Sequence, residues 1–203
     1  MALKLPRQGE REFIAAYGIV AVYVAALPDG GSLVGFSRDL LHSLLTLRRR
    51  WPGLHITAAF WVKDRSEARL ISNEVNASLM HDGERRLLLA DAKAAERHVE
   101  NVAAHMGIAL TEHATVLTRA RTAVAYIEER IAQAQAAGEL AWFNAAYRAW
   151  RLEAKRQGRG MSYAEARARL RQNLFRQILT NDVQINPKQI FPPLQGIDFS
   201  ASG

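Results

Sequence analysis

An apolar run near the start of the chain constrains the fold more than any other feature of the sequence. Residues 18–27 read GIVAVYVAAL, a stretch that is rich in valine and carries no charge. Such a run is typical of a β-strand that is buried on both faces. A Pro-Asp-Gly-Gly turn follows at residues 28–31, and SLVGF at residues 32–36 predicts a returning strand. Because glycine supplies the positive φ angles that tight turns need, we expect an antiparallel hairpin.

The residues after this hairpin predict two helices with a third strand between them. Ser37 is the expected cap of a helix over residues 38–50, in which leucines recur on one face. The sequence HITAAFWV at residues 55–62 is rich in β-branched and aromatic residues and predicts a strand. An Asp-Arg-Ser-Glu capping box at residues 64–67 then begins a second helix with an apolar stripe. The first part of the chain therefore has the predicted order β-β-α-β-α.

Helical patterns continue from residue 83 almost to the end of the sequence. Candidate helices cover residues 91–106, 111–136 and 140–156, and a capping box at residues 162–165 begins another. The remaining residues are rich in proline and glycine, which disfavours a helix. We therefore expect an α+β protein. Its predicted parts are a small α/β domain over residues 1–82, a basic helical region over residues 83–180, and an extended or disordered tail over residues 181–203.

Cysteine content, hydropathy and charge limit the classes of function. The chain contains no cysteine, which excludes disulfides, thiolate nucleophiles and sulfur-ligated zinc. It shows neither a secretory-leader pattern nor a run of about 18 apolar residues, so we expect a cytoplasmic protein with no membrane partner. The net charge of +7 arises within residues 119–176, where twelve Lys and Arg residues outnumber five Asp and Glu residues. An excess of arginine favours a phosphate-bearing polyanion as the partner.

Residues 18–80 resemble the GIY-YIG nuclease module, a small α/β domain whose first two strands form a hairpin that carries the name motifs. The first motif triplet falls on Ala21-Val22-Tyr23 and the second on Leu33-Val34-Gly35, with nine residues between them. The sequence FSRDLLHSL that follows also resembles the start of the family's first helix. The resemblance covers about a third of the chain, and its motifs are short.

Members of this family cleave a phosphodiester bond with a motif tyrosine, a helix arginine and a carboxylate that holds one divalent metal. The resemblance implies Tyr23 as the tyrosine, but Leu33 stands at the second tyrosine. It places Ser43 at the arginine and Ser72 at the carboxylate. Loss of one charge-stabilising group typically costs about 10²–10³ in rate, and neither serine can hold a metal or offset phosphate charge. We therefore expect a module that does not cleave and needs no cofactor.

An active endonuclease stays open as the alternative, because other polar residues lie close to the aligned positions. Arg38 or His42 would serve as the cation, and Glu67 or Glu74 as the carboxylate. Tyr23 would keep the role that the family gives to its tyrosine. This alternative requires Mg²⁺ or Mn²⁺ to support the leaving oxygen.

The sequence AWFNAAYRAWRLEAKRQGRGMSYAEARARLRQ at residues 141–172 combines aromatic residues with cations. Stacking faces and phosphate-binding cations together are typical of nucleic-acid contacts. The expected partner is therefore a nucleic acid, DNA in the first instance. The alternatives are that the aromatic residues only pack one helix against its neighbour, and that the basic helices meet an acidic protein. The predicted nucleic-acid-binding residues are Arg148, Arg151, Lys155, Arg156, Arg159, Arg167, Arg169 and Arg171.

Three histidines, His98, His105 and His113, are spaced by seven and eight residues. A zinc site on a helix needs ligands four residues apart or a carboxylate within reach. The sequence offers no convincing set of four ligands around these positions. We therefore expect no metal site, and we expect the three histidines to be exposed to solvent.

Overall fold

The computed structural model describes residues 3–28, 30–82, 87–138 and 141–180, within which the chain forms seven helices and six strands. The architecture is mixed α/β and mostly helical. The helices are α1 (Gln8–Tyr17), α2 (Leu40–Arg50), α3 (Arg65–Ser78), α4 (Ala92–His105), α5 (His113–Ala136), α6 (Ala141–Arg156) and α7 (Tyr163–Thr180). The strands are β1 (Val20–Ala26), β2 (Ser32–Ser37), β3 (His55–Val62), β4 (His81–Asp82), β5 (Leu87–Leu88) and β6 (Thr111–Glu112).

The strands form one antiparallel sheet in the order β4-β5-β2-β1-β3-β6. β1 lies at the centre, with β2 paired on one side and β3 on the other. Six of its seven residues are buried, as the uncharged run predicts. The antiparallel hairpin and the order β-β-α-β-α are confirmed by β1, β2, α2, β3 and α3.

Successive side chains of β1 point to opposite faces of the sheet. Val20, Val22 and Val24 belong to one buried cluster, which also contains Ile71 of α3 and Val99 of α4. We call this side of the sheet the α3/α4 face. The two helices cover it because each carries an apolar stripe that would otherwise meet water.

The opposite side of the sheet carries Tyr23, and we call it the tyrosine face. Tyr23 is paired across the strands with Gly35 of β2 and Ala59 of β3, so these residues share that face. The tyrosine ring covers the glycine closely. A Cβ atom built on Gly35 would lie 2.6 Å from Oη and 2.8 Å from Cζ of Tyr23. Position 35 therefore has no room for a side chain, because the ring of Tyr23 lies directly against the backbone of Gly35.

Helix α2 begins two residues later than the sequence predicts, and the predicted cap is wrong. Ser37 stays paired with Ala21 at the end of β2, so its backbone is still extended. Asp39 is the cap instead, since its carboxylate accepts a hydrogen bond of 3.1 Å from the backbone N–H of His42. The Ser37 hydroxyl accepts from the Asp39 N–H at 2.9 Å and fixes the corner between strand and helix.

The predicted cap of α3 at Asp64 is confirmed, but the predicted capping box is not, because Glu67 bonds to Lys63 and not to the N–H of the cap residue itself. The Asp64 carboxylate accepts hydrogen bonds from the N–H groups of Ser66 and Glu67. The Glu67 carboxylate accepts one of 3.1 Å from the N–H of Lys63. Both side chains therefore hold the first turn of the helix.

The chain divides into two compact units after Thr122, a division that differs from the predicted boundary at residue 82. The first unit extends past that residue because Val99 and Val102 of α4 join the buried cluster of the α3/α4 face. Strands β5 and β6 also complete its sheet. The second unit contains α6, α7 and the part of α5 beyond Thr122. The tail predicted for residues 181–203 lies outside the described residues.

The contact between Tyr23 and Gly35 can be tested by adding one methyl group. Gly35→Ala forces the tyrosine ring or the strand to move, so we expect the free energy of unfolding to fall by about 1–3 kcal/mol in chemical denaturation. Gly160→Ala is the matched control, because a Cβ atom there would meet no atom within 4 Å. Equal stability of the two variants would contradict the close packing of Tyr23 on Gly35.

Candidate functional site

Tyr23 lies at the centre of the sheet and is only 5% exposed. Burial raises the pKa of its hydroxyl to about 12, so the side chain stays protonated at neutral pH. Within the described part of the chain the hydroxyl makes no hydrogen bond to a carboxylate or a cation. The second motif position, Leu33, is half-buried beside it on the same face, two residues from Gly35. Val22 points to the other face and is part of the core.

Ser43, at the aligned position of the family's arginine, belongs to a polar cluster where β2 meets α2. Its hydroxyl donates a hydrogen bond of 2.7 Å to the Ser37 hydroxyl, which in turn donates to the backbone carbonyl of Asp39. The Asp39 carboxylate forms an ion pair of 2.6 Å with Arg11 of α1. Arg11 is therefore linked to this cluster through Asp39, whose carboxylate neutralises its charge.

No local sequence pattern indicates the role of Arg11, because it lies 28 residues before Asp39 in the chain. Side chains that meet only through packing of distant elements leave no local pattern. Both side chains of the pair are about one third exposed, 36% for Arg11 and 34% for Asp39. An ion pair of this exposure adds little stability, but the Arg11 guanidinium is engaged by the Asp39 carboxylate.

Ser72, at the aligned position of the carboxylate, lies on the α3/α4 face and not with Tyr23. It is 4% exposed and faces Asn76, one turn further along α3. The Asn76 amide donates to the carbonyl of Val34 at 3.2 Å and to the carbonyl of Ser72 at 2.6 Å. The bond to Val34 fastens α3 to β2, whereas the bond to Ser72 lies within α3. The positions aligned with the family's tyrosine and carboxylate are therefore on opposite sides of the sheet.

The residues of the alternative nuclease site are also spread apart. Glu67 is held at the start of α3 by its capping role, and Glu74 is exposed on the same helix. Because α3 covers the α3/α4 face, neither carboxylate belongs to the face that carries Tyr23. Arg38 and His42 are exposed near the start of α2. In the described ranges, no three His, Asp or Glu side chains come together in a way that could hold a metal ion.

The eight predicted nucleic-acid-binding residues fall into two groups. Arg167 and Arg171 of α7 bind the two carboxylate oxygens of Glu128 in α5, at 3.0 and 3.1 Å. Arg169 lies over the ring of Trp150, 4.7 Å from its centroid. These three side chains hold the second unit together. The other five, Arg148, Arg151, Lys155, Arg156 and Arg159, are exposed, and Arg169 is exposed as well.

Three of these exposed cations form one row on α6. Arg148, Arg151 and Lys155 are spaced by three and four residues, so they lie on the same side of the helix. None of the three has an acidic partner in the described part of the chain. Glu153, the acidic residue of this helix, points elsewhere and lies 3.9 Å from Arg156. We call Arg148, Arg151 and Lys155 the basic stripe.

Three aromatic residues of α6, Phe143, Tyr147 and Trp150, contact other rings of the second unit. Phe143 and Tyr147 of α6 make edge contacts with Tyr163 of α7, with ring centroids 5.8 and 5.4 Å apart. Phe143 also contacts Trp150, and it is 1% exposed. The packing alternative is therefore confirmed for these rings. Because the aromatic side of α6 is the buried side, these contacts orient the helix so that the basic stripe faces solvent.

His113 is buried, so the prediction that it is exposed is wrong. The Trp61 indole N–H donates to its Nδ1 at 3.1 Å, and its Nε2–H donates to the Lys4 carbonyl at 2.8 Å. Desolvation lowers the pKa of the imidazole, although the carbonyl of Lys4 and the charge of Glu10 oppose this effect. The ring is therefore neutral and positions Trp61. His98 is half-buried against Ser78, while His105 is exposed as predicted.

Comparison of the chain with protein-family models, with curated proteins and with solved structures found no match. A search of the described helices found none long and apolar enough to cross a membrane.

The buried imidazole predicts a specific loss of stability in mild acid. Unfolding exposes His113, which then takes up a proton near its ordinary pKa of 6.5, whereas the folded chain resists protonation. The free energy of unfolding should therefore fall as the pH drops through 6.5, by at most about 1.4 kcal/mol per pH unit. Denaturation of the wild type and of His113→Gln between pH 5 and 8 measures this, because glutamine keeps a donor but cannot be protonated.

His105→Gln is the matched control and should retain the pH dependence of the wild type, since His105 is exposed. A pH dependence that is the same in His113→Gln and in the wild type would contradict a neutral, buried imidazole at this position.

Proposed function

We propose that this chain binds nucleic acid without cleaving it and that the basic stripe of α6 forms the contact. The observation that carries the proposal is the row of three exposed cations, which have no acidic partner among the described residues. A helix rises about 1.5 Å per residue, so Lys155, seven residues after Arg148, lies about 10 Å further along the axis. This length matches the axial rise of about three phosphates in one strand of DNA.

The chemistry of the stripe supports contacts to the phosphate backbone more than contacts to base edges. Two of the three side chains are arginines, whose planar guanidinium can donate two parallel hydrogen bonds to one phosphate. Bound phosphates release counterions, which makes this kind of binding favourable at low salt and independent of sequence. The rings of Phe143 and Tyr147 are engaged inside the second unit, so stacking on bases is not part of the proposed contact.

The proposal of a non-cleaving, GIY-YIG-like domain is supported by the separation of the aligned positions. Tyr23 lies on the tyrosine face, where burial keeps its hydroxyl protonated. Ser72 and the carboxylates of α3 belong to the helix on the other face. Cleavage by this chemistry requires a base, a cation and a metal-holding carboxylate around one phosphate. The order of strands and helices is the one that the resemblance implies.

Neutralising the stripe should weaken binding in a way that depends on salt. We expect the triple variant Arg148→Gln, Arg151→Gln and Lys155→Gln to bind a labelled DNA duplex about tenfold or more weakly at low salt. The slope of log affinity against log salt concentration should decrease by about 2–3, because three phosphate contacts are lost. Fluorescence anisotropy with duplex DNA, single-stranded DNA and RNA, at several salt concentrations, measures both quantities.

The control variant removes the same charge from exposed positions of the first unit, at Arg69, Lys93 and Arg97. We expect it to retain most of the affinity and the salt slope. An equal loss in both triple variants would contradict the stripe as the interface. No binding by the wild type at low salt would contradict the nucleic-acid proposal and would favour an acidic protein partner.

Incubation with supercoiled plasmid and Mg²⁺ or Mn²⁺ tests the absence of cleavage. We expect the plasmid to remain supercoiled, and Tyr23→Phe to behave as the wild type does. The substitution keeps the packing of the ring on Gly35 and removes the hydroxyl alone. Nicking by the wild type that disappears in Tyr23→Phe would overturn the proposal in favour of the metal-dependent endonuclease.

A further inference from the structure

A cavity of about 450 Å³ opens on the first unit, where the end of α1, the end of β3 and the first turns of α5 meet. Apolar side chains form its inner wall. Phe13, Trp61, Val62 and Val116 line it, and each of them is at most 8% exposed. Small-molecule sites typically have volumes of about 300–1,000 Å³ and apolar walls with few polar groups. The cavity has the size and the lining of such a site.

The outer part of the cavity is cationic. Lys63 and Arg119 line it and are exposed, and neither has an acidic partner in the described part of the chain. None of the ten lining residues is acidic. The neutral polar side chains of the lining are limited to the hydroxyl groups of Tyr17 and Thr111. A ligand with an apolar body and one anionic end is therefore complementary to this cavity. Its body would contact the apolar inner wall, and its anionic end would contact the two cations.

The inner wall is preformed. Trp61 is 1% exposed, and its indole N–H is held by the Nδ1 atom of His113 at 3.1 Å. The two rings are stacked, with centroids 6.1 Å apart and planes inclined by 13°. Phe13 is stacked against Tyr17, with centroids 5.8 Å apart. Because these rings are already fixed, a ligand loses little free energy in ordering them.

We propose that this cavity binds a small amphipathic anion, with an aromatic or other apolar body against Phe13 and Trp61 and a carboxylate, sulfonate or phosphate group between Lys63 and Arg119. Burial of the body supplies the hydrophobic part of the affinity. The two cations supply charge-assisted hydrogen bonds and select against neutral and cationic ligands. This site is in the first unit and does not depend on the basic stripe of the second.

The test uses two fluorescent probes that share one apolar body. 8-Anilino-1-naphthalenesulfonate carries a sulfonate, whereas N-phenyl-1-naphthylamine has the same rings without a charge. We expect the full-length chain to bind one sulfonate probe with enhanced fluorescence and to bind the neutral probe more weakly. The double variant Lys63→Gln and Arg119→Gln should have about tenfold lower affinity for the sulfonate probe and an unchanged affinity for the neutral probe.

Two further variants separate this cavity from other surfaces. Ala109 lines the opening and is exposed, so Ala109→Trp should fold and should block both probes by filling the space. Arg69→Gln with Lys93→Gln removes the same charge elsewhere on the first unit and should change neither affinity. Circular dichroism and the midpoint of denaturation verify that each variant is folded.

The proposal is overturned if the sulfonate probe does not bind to the wild type, or if it binds equally well to folded Ala109→Trp. It is also overturned if the double variant at Lys63 and Arg119 retains full affinity for the sulfonate probe, or loses affinity for both probes equally. The double variant changes exposed residues alone, so it gives a result even if the tryptophan variant does not fold.

Discussion

The structure of the first unit depends on the burial of β1 on both faces. A strand without charge can lie at the centre of a sheet only if its backbone groups are paired on both edges and its side chains are covered on both sides. β2 and β3 provide the pairing, and α3 and α4 cover one face through Ile71 and Val99. On the other face, Tyr23 fills the space above Gly35. The positions of the remaining elements follow from these requirements.

The same burial separates the positions to which the expected resemblance assigned catalytic roles. Tyr23 contributes its ring to packing, and its hydroxyl has no charged partner in the described ranges. Ser43 is engaged in the hydrogen-bonded corner between β2 and α2, and Ser72 faces Asn76 on the opposite side of the sheet. Two of the aligned positions thus have structural roles that their residue types explain. The proposed binding surfaces are found elsewhere.

The two proposed binding surfaces use cations in different ways. The basic stripe presents Arg148, Arg151 and Lys155 to solvent, where salt screens them and a long polyanion can contact all three. Lys63 and Arg119 instead border a cavity with an apolar inner wall, where one small anion can bury its body. Arg167 and Arg171 have a third, structural role, since both form ion pairs with Glu128. Net charge alone does not distinguish these three environments.

The sequence by itself determined the hairpin, the order β-β-α-β-α and the capping of α3, because alternation, turn residues and caps act over a few neighbouring residues. It misplaced the start of α2 by two residues, since pairing with Ala21 keeps Ser37 in the strand. Only the tertiary structure decided that Arg11 meets Asp39, that His113 is buried against Trp61, and that Arg167 and Arg171 bind Glu128. These partners are far apart in the chain, so they meet only through the packing of whole elements, for which a local pattern carries no signal.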